Sequence, residues 1–218
     1  MKTIILGPPG TGKTTTLLDL VDEFIQSGVD TKKIGYFSFT KKAANEAKER
    51  AVKKFGLDED DFPYFRTLHS LAFNSLGLSK SRVMQGADYK DFGSKCGIPI
   101  TIKKAYNSED DGTFTSDNEY LQLIEKARAI DRDLMDVYDD NTHYLDIERD
   151  TLYLLDRELT RYKKEKGLVD YGDMLLRFVV EDVAPKFTVL FIDEAQDLSP
   201  LQWKMVRALW SRADKTYI

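Results

Sequence analysis

Residues 7–14 read Gly7-Pro8-Pro9-Gly10-Thr11-Gly12-Lys13-Thr14. The run satisfies G-x-x-x-x-G-K-[ST] at every specified position, the pattern of a phosphate-binding loop. Glycines let the backbone wrap close to phosphate oxygens, and successive N–H groups turned inward make an anion nest. A helix opening near Lys13 adds the positive end of its dipole. On this reading Gly7, Gly10, Thr11, Gly12, Lys13, Thr14 and Thr15 line the phosphates of a bound nucleotide. Lys13 reaches the β- and γ-phosphates, and the Thr14 hydroxyl ligates Mg²⁺.

The flanking sequence supplies the context such a loop needs. Ile4 to Leu6 reads as a short buried strand before it, and a helix from Lys13 to about Gln26 follows. Lys33 to Phe39 (KIGYFSF) reads as a second strand, leading into a helix from Lys41 to about Phe55. The acidic run from Asp58 to Asp61 marks a loop. Tyr64 to Arg66 reads as a third strand, with a helix from near Thr67. Strand and helix alternating in this way imply a parallel sheet covered on both faces, an α/β fold.

The rhythm changes after about Leu76. From there to about Lys166 the pattern is helical, with one short extended piece from Ile98 to Ile102 and a polar, mobile stretch from Asn107 to Asp117. One helix is expected from about Asn118 to Ala129, and a longer one from about Leu145 to Lys166. The basic end of that long helix (Arg161, Lys163, Lys164, Lys166) suits the helix macrodipole. The expected organisation is therefore an α/β domain over 1–76 and 167–218, interrupted by a helical insertion over 77–166.

Phe187 to Ile192 (FTVLFI) is a near-continuous apolar run, as a central parallel strand should be. Asp193-Glu194 ends it. Two carboxylates at the edge of a buried strand are costly unless paired or bound to metal. Asp193 is the expected magnesium group, direct or through water, and Glu194 the base for an attacking water. Gln196 is placed to hydrogen-bond a γ-phosphate. Ser199-Pro200 opens a helix to about Arg212, on which Trp203 and Trp210 share a face and pack into a core or an interface. Thr216 to Ile218 reads as the start of another strand.

With these motifs in order, the chain resembles the UvrD/Rep/PcrA-like branch of superfamily 1 helicases. The residues that carry the resemblance are GPPGTGKT (Gly7 to Thr14), FTKKAANEAKER (Phe39 to Arg50), TLHSLA (Thr67 to Ala72), VDYGDML (Val169 to Leu175) and IDEAQDLSPLQ (Ile192 to Gln202). The resemblance implies a RecA-like P-loop NTPase domain that uses ATP and Mg²⁺ and moves on single-stranded DNA. It implies Lys13, Thr14, Asp193, Glu194 and Gln196 as the ATPase residues. Thr40, Lys41 and Ala43 would lie along the DNA track, and Thr67 and His69 would touch the DNA backbone. Asp170 and Asp173 are assigned to structure and not to chemistry.

Three features depart from that family. Nothing before Gly7 answers to its adenine-reading glutamine segment, Leu68 stands where it often has an aromatic, and its second RecA-like domain is missing. The expectation is a piece that binds nucleotide and hydrolyses it slowly. Two other classes stay open: a non-catalytic nucleotide- or DNA-binding regulator, and a small-molecule P-loop kinase.

Composition agrees with a globular nucleotide-binding domain. The 218 residues are 42% hydrophobic and 32% charged, with a net charge of −5, so any nucleic-acid surface must be a local basic groove. The single cysteine, Cys96, can form no intramolecular disulfide. No apolar stretch approaches the ~20 residues that span a bilayer, and the N-terminus is no signal peptide. The expected location is cytoplasmic, or nuclear in a nucleated host.

Overall fold

The computed structural model describes residues 2–8, 10–104, 114–142 and 147–218. The polar stretch expected from Asn107 to Asp117 falls mostly outside the described residues, as does the expected start of the long helix at Leu145. The chain divides into two compact units. One comprises 1–76, 178–198 and 202–218, and the other 77–177 and 199–201. The second unit thus runs to Arg177, past the 166 at which the sequence reading ends the insertion.

The first unit is built on five parallel strands: β1 (Lys2–Thr3), β2 (Ile34–Ser38), β3 (Phe65–Thr67), β6 (Phe187–Ile192) and β7 (Ala213–Tyr217). Their order across the sheet is β1-β7-β6-β2-β3. Tyr36 lies opposite Phe65 on one side and Phe191 on the other. Because all strands run the same way, the loops after β1, β2, β3 and β6 leave from one edge of the sheet. In such sheets that is the edge where ligands bind. The expected α/β parallel architecture is therefore what the chain adopts.

Two helices cover one face. Helix α1 (Lys13–Gln26) buries Leu17 and Val21, four residues apart and so on one stripe. Helix α2 (Lys41–Phe55) buries Ala44, Ala47 and Ala51. That stripe of small residues lets the helix lie close to the sheet. Thr40 caps its start by accepting from the Ala43 N–H, and Gly56, at φ 65°, ends it. Together with Ile34, Tyr36, Phe65, Val189 and Phe191 these side chains form one apolar core.

The strand expected at Ile4 to Leu6 differs in its burial. Only Lys2 and Thr3 form the β1 ladder, continued by an Ile5 N–H donated to the Ile218 carbonyl at 2.7 Å. Ile4 and Leu6 are 66% and 88% exposed. The cause is position: β1 is an edge strand, and every second side chain faces outward. Ile5 alone turns to the core. Strand β7 is also longer than the expected Thr216 start, because its residues from Ala213 onward pair with β6. Helix α9 (Pro200–Trp210) buries Met205, Val206 and Leu209, so Trp203 and Trp210 sit at the margin of its apolar face, half-buried.

The second unit is mainly helical. It contains α4 (Gly86–Cys96), α5 (Glu119–Ala129), α6 (Leu134–Asn141) and α7 (Arg149–Lys166), packed around Phe92, Leu121, Ile124, Leu152, Leu155 and Leu159. Its extended piece is displaced from the expected Ile98–Ile102. Strand β4 (Ile102–Lys104) pairs antiparallel with β5 (Phe114–Ser116). The basic end of α7 is paired as well as dipole-favoured. Lys163 meets Asp170 and Asp173, Lys166 meets Asp91, and Arg161 meets Glu158 and Glu165.

Candidate functional site

The loop between β1 and α1 holds the geometry its glycines permit. Gly10 and Gly12 have φ of 80° and 83°, which L side chains rarely adopt. A Cβ on Gly7 would come within 2.5 Å of Thr11 Oγ1. The Thr11 hydroxyl donates to the Pro8 carbonyl at 2.8 Å. Lys13 folds back over the loop and donates from Nζ to the carbonyls of Gly7 (2.9 Å) and Pro8 (3.2 Å). Those two carbonyls are the partners of the ammonium.

Across the sheet edge, β6 delivers Asp193 to the start of α1. The Thr14 hydroxyl donates to Asp193, 3.0 Å from Oδ2 and 3.3 Å from Oδ1. Asp193 is 2% exposed, and its Oδ1 also accepts the Glu194 N–H at 3.0 Å. Glu194 takes φ 53°, ψ 40°, a left-handed conformation rare for a non-glycine residue. This turns the chain sharply off the strand end. The Gln196 side-chain amide donates to the Glu194 carboxylate. Thr14, Thr15, Ala43, Glu46, Arg50, Asp193 and Glu194 line a cavity of about 220 Å³. A hydroxyl and a carboxylate converging beside an anion-binding loop are the donor set that suits Mg²⁺, which commonly takes its other ligands from phosphate and water.

A family model described as the UvrD/REP helicase N-terminal domain matches residues 1–218. The chain belongs to the UvrD/REP helicase family. It is also similar to a protein of Bacillus subtilis (strain 168) named "Putative ATP-dependent DNA helicase YjcD", at 27% identity over 228 residues. That similarity covers 95% of this chain and 28% of the relative, so the chain spans under a third of that relative's length. Membership of the UvrD/REP family sets aside the small-molecule kinase alternative.

The residues expected to meet DNA in this UvrD/REP helicase domain lie along the same sheet edge but differ in access. Thr40 is the N-cap of α2 and its oxygen accepts the Ala43 N–H at 3.1 Å. Lys41 is exposed at the helix start, and Ala43 is partly buried in the cavity wall. Thr67 is 3% exposed and caps α3 (Leu68–Ser75) by accepting the Ser70 N–H at 3.2 Å. Its hydroxyl is thus committed to the fold. His69 is partly buried, and the cost of charging it away from water pushes its imidazole down to about 4. In the neutral form that burial favours, it can meet a phosphate as a hydrogen-bond donor. Leu68 is buried in the core.

Three residues of this domain were not singled out from sequence. Phe39, between β2 and Thr40, is 43% exposed, which leaves part of its ring open. Tyr36 donates its hydroxyl to Asp193 Oδ2 at 2.8 Å. Ser38, two residues further on the same face of β2, is 2% exposed, with a hydroxyl that has no partner among the described groups. The period-two alternation of KIGYFSF puts Tyr36 and Ser38 on one face, but only the pairing of β2 with β6 shows that this face meets Asp193.

Asp170 and Asp173 form a reciprocal cap at the start of α8 (Tyr171–Val180). Each accepts the other's backbone N–H, at 3.0 and 2.8 Å. Arg128 reaches Asp170 at 2.8 Å and Lys163 reaches Asp173 at 2.6 Å. The arrangement is that of a structural joint.

Proposed function

We propose that this chain is the ATP-binding motor domain of a UvrD-like DNA helicase or translocase, coupling ATP hydrolysis to movement on single-stranded DNA. The observation that carries the reading is the meeting of Thr14 and Asp193, 179 positions apart, at 3.0 Å beside Lys13 and Glu194. Loop N–H groups and Lys13 bind the triphosphate, with Lys13 exchanging its two carbonyl partners for phosphate oxygens. Thr14 and Asp193 would hold Mg²⁺, which when bound would screen the phosphate charge. Glu194 accepts a proton from the attacking water, and Gln196, already hydrogen-bonded to Glu194, reports the γ-phosphate.

The deciding experiment is the ATPase rate with and without single-stranded DNA, for this chain and for a version extended through a second RecA-like domain. Fast, DNA-stimulated turnover by the extended version supports the motor reading. Nucleotide binding that never responds to DNA would favour the regulator.

Two variants test the parts. Lys13→Ala removes the cation that meets the phosphates. Triphosphate affinity should fall by about a hundredfold, as expected for charge-assisted bonds to two phosphate groups. Isothermal titration reads this directly, and unchanged affinity would remove the loop from the site. Phe39→Ala removes a ring beside the Thr40–Lys41 helix start. Single-stranded DNA binding should weaken by about 1–3 kcal/mol if a base stacks there. Fluorescence anisotropy with a labelled oligonucleotide would show it, and an unchanged Kd would exclude stacking on this ring.

A further inference from the structure

Tyr36 is wholly buried at the centre of the sheet. Its ring stacks on Phe65 with centroids 5.3 Å apart and lies tilted over Phe191 at 6.3 Å. Packing alone does not need a hydroxyl there, because the neighbouring aromatic positions Phe37, Phe65 and Phe191 do without one. A buried hydroxyl costs stability unless it is bonded. Its partner is Asp193 Oδ2, at 2.8 Å.

The donors around Asp193 divide by origin. Tyr36 comes from the sheet and the Glu194 N–H from the chain itself, and neither lies on the phosphate loop or in α1. Thr14 comes from α1 and is the residue assigned to the metal. Without Tyr36, Oδ2 would have only the Thr14 hydroxyl as a side-chain donor. Asp193 would then rotate more freely, which opposes delivery of the pair to a cation.

We propose that Tyr36 is a positioning residue of the metal site: its hydroxyl fixes the Asp193 carboxylate from behind, in the orientation in which it meets Thr14. This rests on the nucleotide-site reading above and adds to it a residue of β2. Groups that orient metal ligands from behind typically affect metal affinity about tenfold or more when removed.

The test is a Mg²⁺ titration of the binding of a fluorescent ATP analogue to the 218-residue chain. It is run on the wild type, Tyr36→Phe, Asp193→Asn and the double variant. The half-saturating Mg²⁺ concentration should rise about tenfold in Tyr36→Phe, while affinity in excess EDTA stays within about twofold. In the Asp193→Asn background the second substitution should add nothing, because Tyr36 acts through that carboxylate. An unchanged Mg²⁺ midpoint in Tyr36→Phe, or equal further loss in the Asp193→Asn background, would reduce Tyr36 to core packing. Failure of the wild type to bind the analogue, or binding indifferent to Mg²⁺, would overturn the nucleotide-site reading itself and this inference with it. Phenylalanine preserves the ring volume. As an independent readout that keeps the hydroxyl, 3-fluorotyrosine at position 36 should give a ¹⁹F resonance that moves when Mg²⁺ is added to the nucleotide complex. A stationary resonance would count against the proposal.

Discussion

Glu194→Gln should bind Mg²⁺-nucleotide as the wild type does and hydrolyse it about 10²–10⁴-fold more slowly, the usual contribution of a positioned general base. The site explains why binding survives. Among the described residues Glu194 makes no bond to the loop or to Thr14, and its side-chain partner is the amide of Gln196. A glutamine at 194 keeps a carbonyl to accept that bond, and its backbone N–H still donates to Asp193 Oδ1. The left-handed turn at 194 is equally uncomfortable for both side chains, so the fold gives no reason for one to be less stable. What is lost is the capacity to take a proton. Single-turnover hydrolysis with parallel nucleotide titration separates the two effects. Undiminished hydrolysis would move the base elsewhere, whereas lost binding would mean that Glu194 helps to hold the metal.

How much of this was readable beforehand depended on whether the deciding contact was local. Helices α1 and α2 begin and end where expected because their signals are neighbours in sequence: Lys13 after a glycine loop, Thr40 as a cap, Gly56 as a stop. Strand β6 announces itself by a near-continuous apolar run followed by two acids. Ile4 to Leu6 misled because an apolar run does not say whether a strand has neighbours on both sides. Strand β4 was misplaced and its partner β5 unseen because such short strands carry little period-two signal. Thr67 fits a motif, but its burial comes from where β3 docks beside β2. Tyr36 is the clearest case. Nothing near position 36 indicates that its hydroxyl has an acceptor, because that acceptor lies 157 residues away. The site is therefore legible as a list of reactive groups, and what orients those groups is not.

Lys163→Met should destabilise the second unit by about 3 kcal/mol at neutral pH, the low end of the cost of breaking a buried ion pair, because Arg128 still reaches Asp170. Lys163 is 5% exposed and Asp170 8%, and both sit where α7 gives way to α8. Burial alone would push the Asp170 carboxyl up. Lys163, then Arg128, more than reverse this and hold it below the ordinary carboxylate range. A depressed folded value means stability that is present above the unfolded pKa and is lost as pH falls through the folded one. The wild-type advantage over Lys163→Met should accordingly be largest near neutrality. It should shrink below about pH 4, where an unperturbed aspartate takes up its proton. Urea denaturation of both proteins across that range measures the gap. Lys163→Met/Asp170→Asn should recover part of the loss, because the buried carboxylate with too little positive charge beside it is then gone, although Arg128 loses one of its two carboxylates and Asp173 lacks the partner it has at 2.6 Å. A gap that did not depend on pH would mean that the lysine stem, not its charge, supports α7. A double variant no better than the single would point the same way. Either result would recast the joint between α7 and α8 as an apolar contact that happens to carry ions.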